Sequence, residues 1–99
     1  MKSNILNEHQ AAHVAQLFSA FSDTSRVRIL SVLICQETNV SQLAELVGIS
    51  ESAISHHLRN LRQMHLVSSR REGKEIFYSV TDSHIITLFQ QGIHHIQEK

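Results

Sequence analysis

Two glycines punctuate the middle of this chain in an order that few folds accept. Gly48 follows the apolar positions Leu43, Ala44 and Val47, so it can end a short helix as a left-handed C-cap. Ser50 then stands where a serine caps a new helix, about residues 51–64, whose core stripe is Ile54, Leu58 and Leu61 at i, i+4 and i+7. Beyond it, Leu66–Arg70 and Glu75–Val80 read as strands, with a turn around Gly73. A short helix, a tight turn, a capped second helix and a basic hairpin make a helix-turn-helix, about 41–64, followed by a wing, about 66–80.

The flanking segments read as helices. Ala11, Val14, Ala15, Phe18 and Phe21 predict the inner side of a first helix over about 7–21. Asp23 or Thr24 can cap a second, with Val27, Leu30, Leu33 and Ile34 inward. Gln36 to Asn39 form a polar break, and Ser41 is placed to cap the short third helix. A last helix runs from about 83 to 97, within a C-terminal segment of about 82–98. The chain holds no proline, linker or repeat. Its 99 residues therefore predict one domain, 1–99, mainly α with a small β-hairpin. A core of that size is modest, and dimerisation would help to stabilise it.

Charge placement says what the second helix of the pair can touch. Formal net charge is zero, which by itself argues against nucleic acid. Between His56 and Glu75, however, Arg59, Arg62, Arg70, Arg71 and Lys74 outnumber Glu72 and Glu75. A local basic surface attracts phosphate. The outward side of that helix shows Ser52, Ser55, His56, Arg59 and Arg62. Short hydrogen-bonders near its start suit base edges, and the arginines further along suit phosphates. Arg70, Arg71 and Lys74 on the wing can flank the DNA backbone or minor groove. The plain alternative is a solvated helix followed by a charged turn. The order of caps, core stripe, polar face and basic hairpin favours DNA binding.

The C-terminal eighteen residues carry a second pattern, Asp82-x-His84, ten residues, then His95-x-x-Glu98. His84 and His95 are eleven apart, about three turns at ~3.6 residues per turn, and Glu98 is at i+3 from His95. Asp82 fits best at the helix start. Two carboxylates and two imidazoles suit tetrahedral zinc, with ligand distances of about 2 Å. Yet at ~1.5 Å per residue the two histidines lie roughly 16 Å apart along the axis. One chain cannot close such a site. Two of these helices packed antiparallel across a two-fold axis can, with Asp82 and His84 of one copy meeting His95 and Glu98 of the other. The same four residues also fit an amphipathic dimer helix with polar edges.

With these motifs in place, the chain resembles the ArsR/SmtB-type metal-sensing repressors, from about Ala11 to Glu98. The resemblance rests on Phe21 to Leu30, on Ile54-Ser55-His56-His57-Leu58, and on Ile76-Phe77-Tyr78-Ser79 leading into the histidine helix. The Asp-x-His-x(10)-His-x-x-Glu pattern looks like the subgroup that senses zinc or cobalt at the dimer's C-terminal helices. It implies a dimeric winged-helix repressor that holds a two-fold operator without metal and releases it with zinc. Genes for export or sequestration of the metal are the implied targets. Members sensing arsenite, cadmium or lead use cysteines near the helix before the recognition helix. Here Asn39 to Ala44 contain none. Nitrogen and oxygen ligands favour zinc, with cobalt as a mimic; nickel would want further ligands. The resemblance also implies a relay in which the free ring nitrogen of His95 hydrogen-bonds backbone near His65.

Other features have simpler expectations. His9 and His13, at i and i+4, can pinch a metal but more often mark plain surface. His57 falls beside the core stripe as a packed, hydrogen-bonded histidine, and His65 ends its helix where a positive charge suits the dipole. Cys35, the lone cysteine, follows an apolar run and is expected in the core; it excludes an internal disulfide. No apolar run is long enough to span a membrane and no secretory signal opens the chain, so a cytoplasmic protein is expected. Two rival functions remain: a winged-helix regulator with a non-metal effector and structural or pH-responsive histidines, and a zinc hydrolase. The hydrolase needs an open coordination position and a substrate cleft. Four protein ligands on so small a chain leave neither, so neither an enzyme nor a small-molecule substrate is expected.

Overall fold

The computed structural model describes residues 4–98. In chain order the elements are α1 (Glu8–Ser19), α2 (Thr24–Cys35), α3 (Val40–Val47), α4 (Glu51–Gln63), β1 (Ser68–Glu72), β2 (Glu75–Ser79) and α5 (Ser83–Gln97). Side-chain caps open all five helices. Asn7 accepts from the Gln10 N–H in a capping box, Asp23 from Arg26, Asn39 from Gln42, Ser50 from Ala53 and Asp82 from His84. Each such cap contributes about 1 kcal/mol. The expected Ser41 cap is thereby corrected. Asn39, at the end of the polar break, starts α3 two residues earlier, because its carboxamide reaches the Gln42 N–H at 2.8 Å. Gly48 ends α3 at φ +81°, the left-handed value that a side chain would resist.

The core joins α2, α3 and α4 to the start of the hairpin and to α5. Ile29, Leu30 and Leu33 meet Leu43 and Val47, then Ile54, Leu58 and Leu61, with Leu66, Val67, Val80, Ile85 and Phe89 closing it. Leu66 and Val67, read from the sequence as strand, precede β1 and pack inward instead. The strands pair antiparallel, from Ser68 opposite Ser79 to Glu72 opposite Glu75, around Gly73 at φ +64°. Thr38, the buried polar residue of the α2–α3 connection, pairs both backbone groups with Tyr78 at 3.1 and 2.8 Å. That bridge seats the hairpin against the helices.

The first helix departs from expectation. None of its residues is buried, and Val14 and Phe18 remain 41% and 49% exposed. Ala20 just beyond it is buried, and Phe21 rests on Phe89 with ring centroids 6.2 Å apart. The apolar stripe is real, but only its end at Phe21 packs on this chain's core, while Val14 and Phe18 face solvent. Its C-terminal end is held by Arg26, which donates to the Ala20 and Ser19 carbonyls at 3.3 and 3.0 Å. Cys35 is also corrected: as the last residue of α2 it is exposed.

Candidate DNA interface and metal centre

The candidate recognition surface follows from the two faces of α4. Ile54, Leu58 and Leu61 are fully buried, which turns Ser52, Ser55, His56, Arg59 and Arg62 toward solvent. His57 lies at the boundary, with 17% of its side chain exposed and Nε2 4.0 Å from an Asp23 carboxylate oxygen. It is not the hydrogen-bonded histidine expected, since Nδ1 is buried without a partner. Asp23 has its carboxyl held below the ordinary range, chiefly by the Arg26 backbone N–H it accepts. After α4, the Met64 cap leads to His65 at φ +61°, a left-handed turn that a non-glycine residue makes at some cost. Its N–H donates to the Arg62 carbonyl at 2.9 Å.

On the wing the three basic residues differ. Arg71 and Lys74 sit at the exposed tip, with Arg71 Nε donating to the Gly73 carbonyl at 3.1 Å. Arg70 is already engaged. Its guanidinium grips both Glu37 carboxylate oxygens at 2.8 Å, stands 3.5 Å from Glu72, and lies 5.0 Å from the centre of the Phe77 ring. That grip lowers the Glu37 pKa and raises the Arg70 pKa. Asn39 adds a second strut from the same connection, donating to Glu75 at 2.8 Å. Arg70 therefore braces the hairpin, and its charge is largely answered within the chain.

The C-terminal quartet is split along α5. Asp82 caps the helix through the His84 N–H at 2.8 Å, and its Oδ1 lies 3.3 Å from His84 Nδ1. The His84 N–H is the chief cause of a lowered Asp82 pKa. The His84 side chain is 95% exposed. At the other end His95 and Glu98, the latter as C-cap, are exposed as well. Among the described residues no three His, Cys, Asp or Glu side chains of one chain come together as a metal site. His95 borders an open apolar groove that includes Phe18, Phe21, Phe89 and Ile96. The His9 and His13 rings lie 4.4 Å apart between centroids, tilted at 57° to each other, on exposed α1, and among the described residues no third metal ligand joins them there.

Helix, turn, recognition helix and hairpin in this arrangement define a winged helix-turn-helix protein. The family model described as bacterial regulatory protein, arsR family, matches residues 23–69. The transcriptional repressor SmtB homolog of Synechocystis is 41% identical over 98 residues, 99% of this chain and 74% of that one. A cadmium resistance transcriptional regulatory protein CadC homolog of Staphylococcus aureus is 37% identical over 86 residues, covering 86% and 71% of the two chains. The homodimeric winged helix-turn-helix DNA-binding domain Mb0332 of Mycobacterium bovis superposes with a TM-score of 0.82 at 27% identity, over 95% and 90% of the chains. The protein belongs to the ArsR/SmtB family of winged helix-turn-helix transcriptional regulators. These are DNA-binding proteins rather than enzymes, and no helix among the described residues is long and apolar enough to cross a membrane.

Proposed function

We propose that this protein is a homodimeric repressor whose metal-free form holds a two-fold operator and which zinc, or cobalt in its place, releases. One observation carries the reading. The donors Asp82 and His84 stand at one end of α5, His95 and Glu98 at the other, and His95 borders an open apolar groove. An antiparallel partner helix brings the two half-sets together twice. The donor chemistry fits zinc, since two imidazoles and two carboxylates satisfy a tetrahedral ion without thiolates. Bound there, the ion supplies a cross-link between the two C-terminal helices.

The chain's own residues do the rest. Asp82 orients the first turn of α5 by accepting the His84 N–H, which keeps both donors at one helix end. Ile85 and Phe89 of the same helix are packed into the core that α4 shares, so a shift of α5 is felt at the recognition helix. Two recognition helices must stand about one DNA turn, ~34 Å, apart to read a two-fold site. A small change of their spacing weakens the complex without unfolding either domain. A hydrogen bond from His95 to backbone near His65 would shorten this route. Linkage demands that DNA lower metal affinity by the factor by which metal lowers DNA affinity. Gel shifts with zinc, cobalt, nickel and cadmium test the proposal; operator release by zinc and cobalt is expected, and no release by any of the four would sink it.

A further inference from the structure

One cleft on the molecule is lined by side chains that each carry a hydrogen-bond donor, and it lies where recognition helix meets wing. Ser55, Arg59, Arg62 and Gln63, at i, i+4, i+7 and i+8 on α4, line it with Tyr78 of β2, around ≈ 380 Å³ of open space. No carboxylate borders it. Among the described residues neither Arg59 nor Arg62 has an acidic partner within 4.0 Å, in contrast to Arg70, whose charge Glu37 answers. Two uncompensated guanidinium groups one helical turn apart create a local positive potential that favours an oxyanion.

Tyr78 is the member that α4 periodicity could not supply. Its backbone N–H and C=O are both spent on Thr38, at 2.8 and 3.1 Å, so the residue is fixed in place at the cleft wall. Among the described residues its phenol makes no hydrogen bond, and the same holds for the Gln63 side chain, so two neutral donors stand ready beside the two charged ones. The geometry points to a binding site for one phosphodiester of the DNA backbone, with Arg59 and Arg62 supplying charge and Tyr78 a neutral hydroxyl donor. This assignment rests on the DNA-binding reading and extends it to Tyr78 and Gln63. Because a phosphate contact carries no sequence information, it acts on any duplex.

The test therefore uses a random-sequence 30-base-pair duplex and fluorescence anisotropy across a salt series. Tyr78→Phe keeps the ring and the Thr38 backbone bridge. It is expected to weaken binding about three- to tenfold while leaving the salt slope unchanged, since no charge is removed. Arg62→Gln should instead flatten the slope by about 0.9 for each phosphate that the guanidinium no longer neutralises. If the two side chains share one phosphate, the double variant is weakened by less than the product of the separate factors. Wild-type affinity in Tyr78→Phe with an unchanged melting temperature, or factors that simply multiply, would overturn the assignment while the DNA reading stands. Wild-type protein that binds no duplex brings down both. Titration with inorganic phosphate at constant ionic strength separates the remaining source. Saturable binding that Arg62→Gln abolishes, tighter than binding to the duplex, would give the cleft to a free anion and overturn the proposal.

Discussion

At the α3–α4–wing end of the molecule each apolar stripe finds its partner within the chain, whereas at the α1–α5 end the stripes run out into solvent. Leu43, Ile54, Leu58 and Leu61 are at most 1% exposed, while Phe18 is 49% and Ile96 72% exposed. The polar groups divide in the same way. Glu37 and Asn39 brace the hairpin from within the chain, but the Asp82–His84 pair and the His95–Glu98 pair stand at opposite ends of one helix. One end is a finished module that can present a surface to DNA. The other leaves an apolar groove and two separated pairs of polar side chains uncovered, which the proposed second half, another copy of the chain, would complete.

The largest expected effect tests that second half. His84→Ala and His95→Ala should each abolish zinc-dependent release while leaving fold and metal-free operator binding intact. A heterodimer of the two variants should retain about one tight zinc, because one cross-chain site keeps all four ligands. A site within one chain would be broken in both subunits, so a heterodimer with no tight zinc refutes the cross-chain arrangement.

Substitutions at the two ends sharpen the contrast. Leu58→Ala at the finished end should cost ~2–5 kcal/mol in urea unfolding, as for other buried leucines. Ile96→Asp at the open end should leave the helical circular dichroism signal in place and shift sedimentation equilibrium toward monomer. Equal unfolding penalties without dissociation would erase the distinction between the two ends. On the DNA surface, Ser55→Ala or His56→Ala should cost ~1–3 kcal/mol against the cognate site alone. Arg71→Gln or Lys74→Gln should weaken cognate and random duplexes alike and flatten the salt dependence. Competition gel shifts with both duplexes decide between these patterns.

Asp82 caps α5 and is also proposed as a metal ligand, and two substitutions separate the two roles. Asp82→Asn keeps a capping oxygen and should hold the melting temperature while lowering zinc affinity. Asp82→Ala should lower zinc affinity and remove about 1 kcal/mol of stability as well. Smallest is the response to acid. Asp23 and Glu37 have pKa values below their ordinary 3.8 and 4.5, so the folded state favours their charged forms. Their contribution is present above those ordinary values and fades as pH falls through the lowered ones. Glu37→Gln should therefore flatten the loss of stability in acid melts below about pH 4.5.

Much of this architecture is legible because its signals are local. Caps at Asp23, Ser50 and Asp82, the left-handed Gly48 and Gly73, and the stripe Ile54–Leu58–Leu61 each act within a turn or two of chain. Helix arithmetic likewise separates His84 from His95 by about three turns, a distance that keeps their side chains from meeting within one helix. The chain by itself determined where most helices begin and end, which face of α4 is apolar, and which side chains α5 carries at each end. Tertiary structure decided the rest, because those outcomes depend on groups far apart in sequence. Glu37 reaches across 33 residues to take Arg70 from the wing surface, and Thr38 pairs with a strand that is hydrophobic enough to be read but not to be placed. The stripe of α1 is visible as a stripe, yet periodicity reports only that a face is apolar. Whether that face meets its own core or another copy depends on how much core the other helices have already filled.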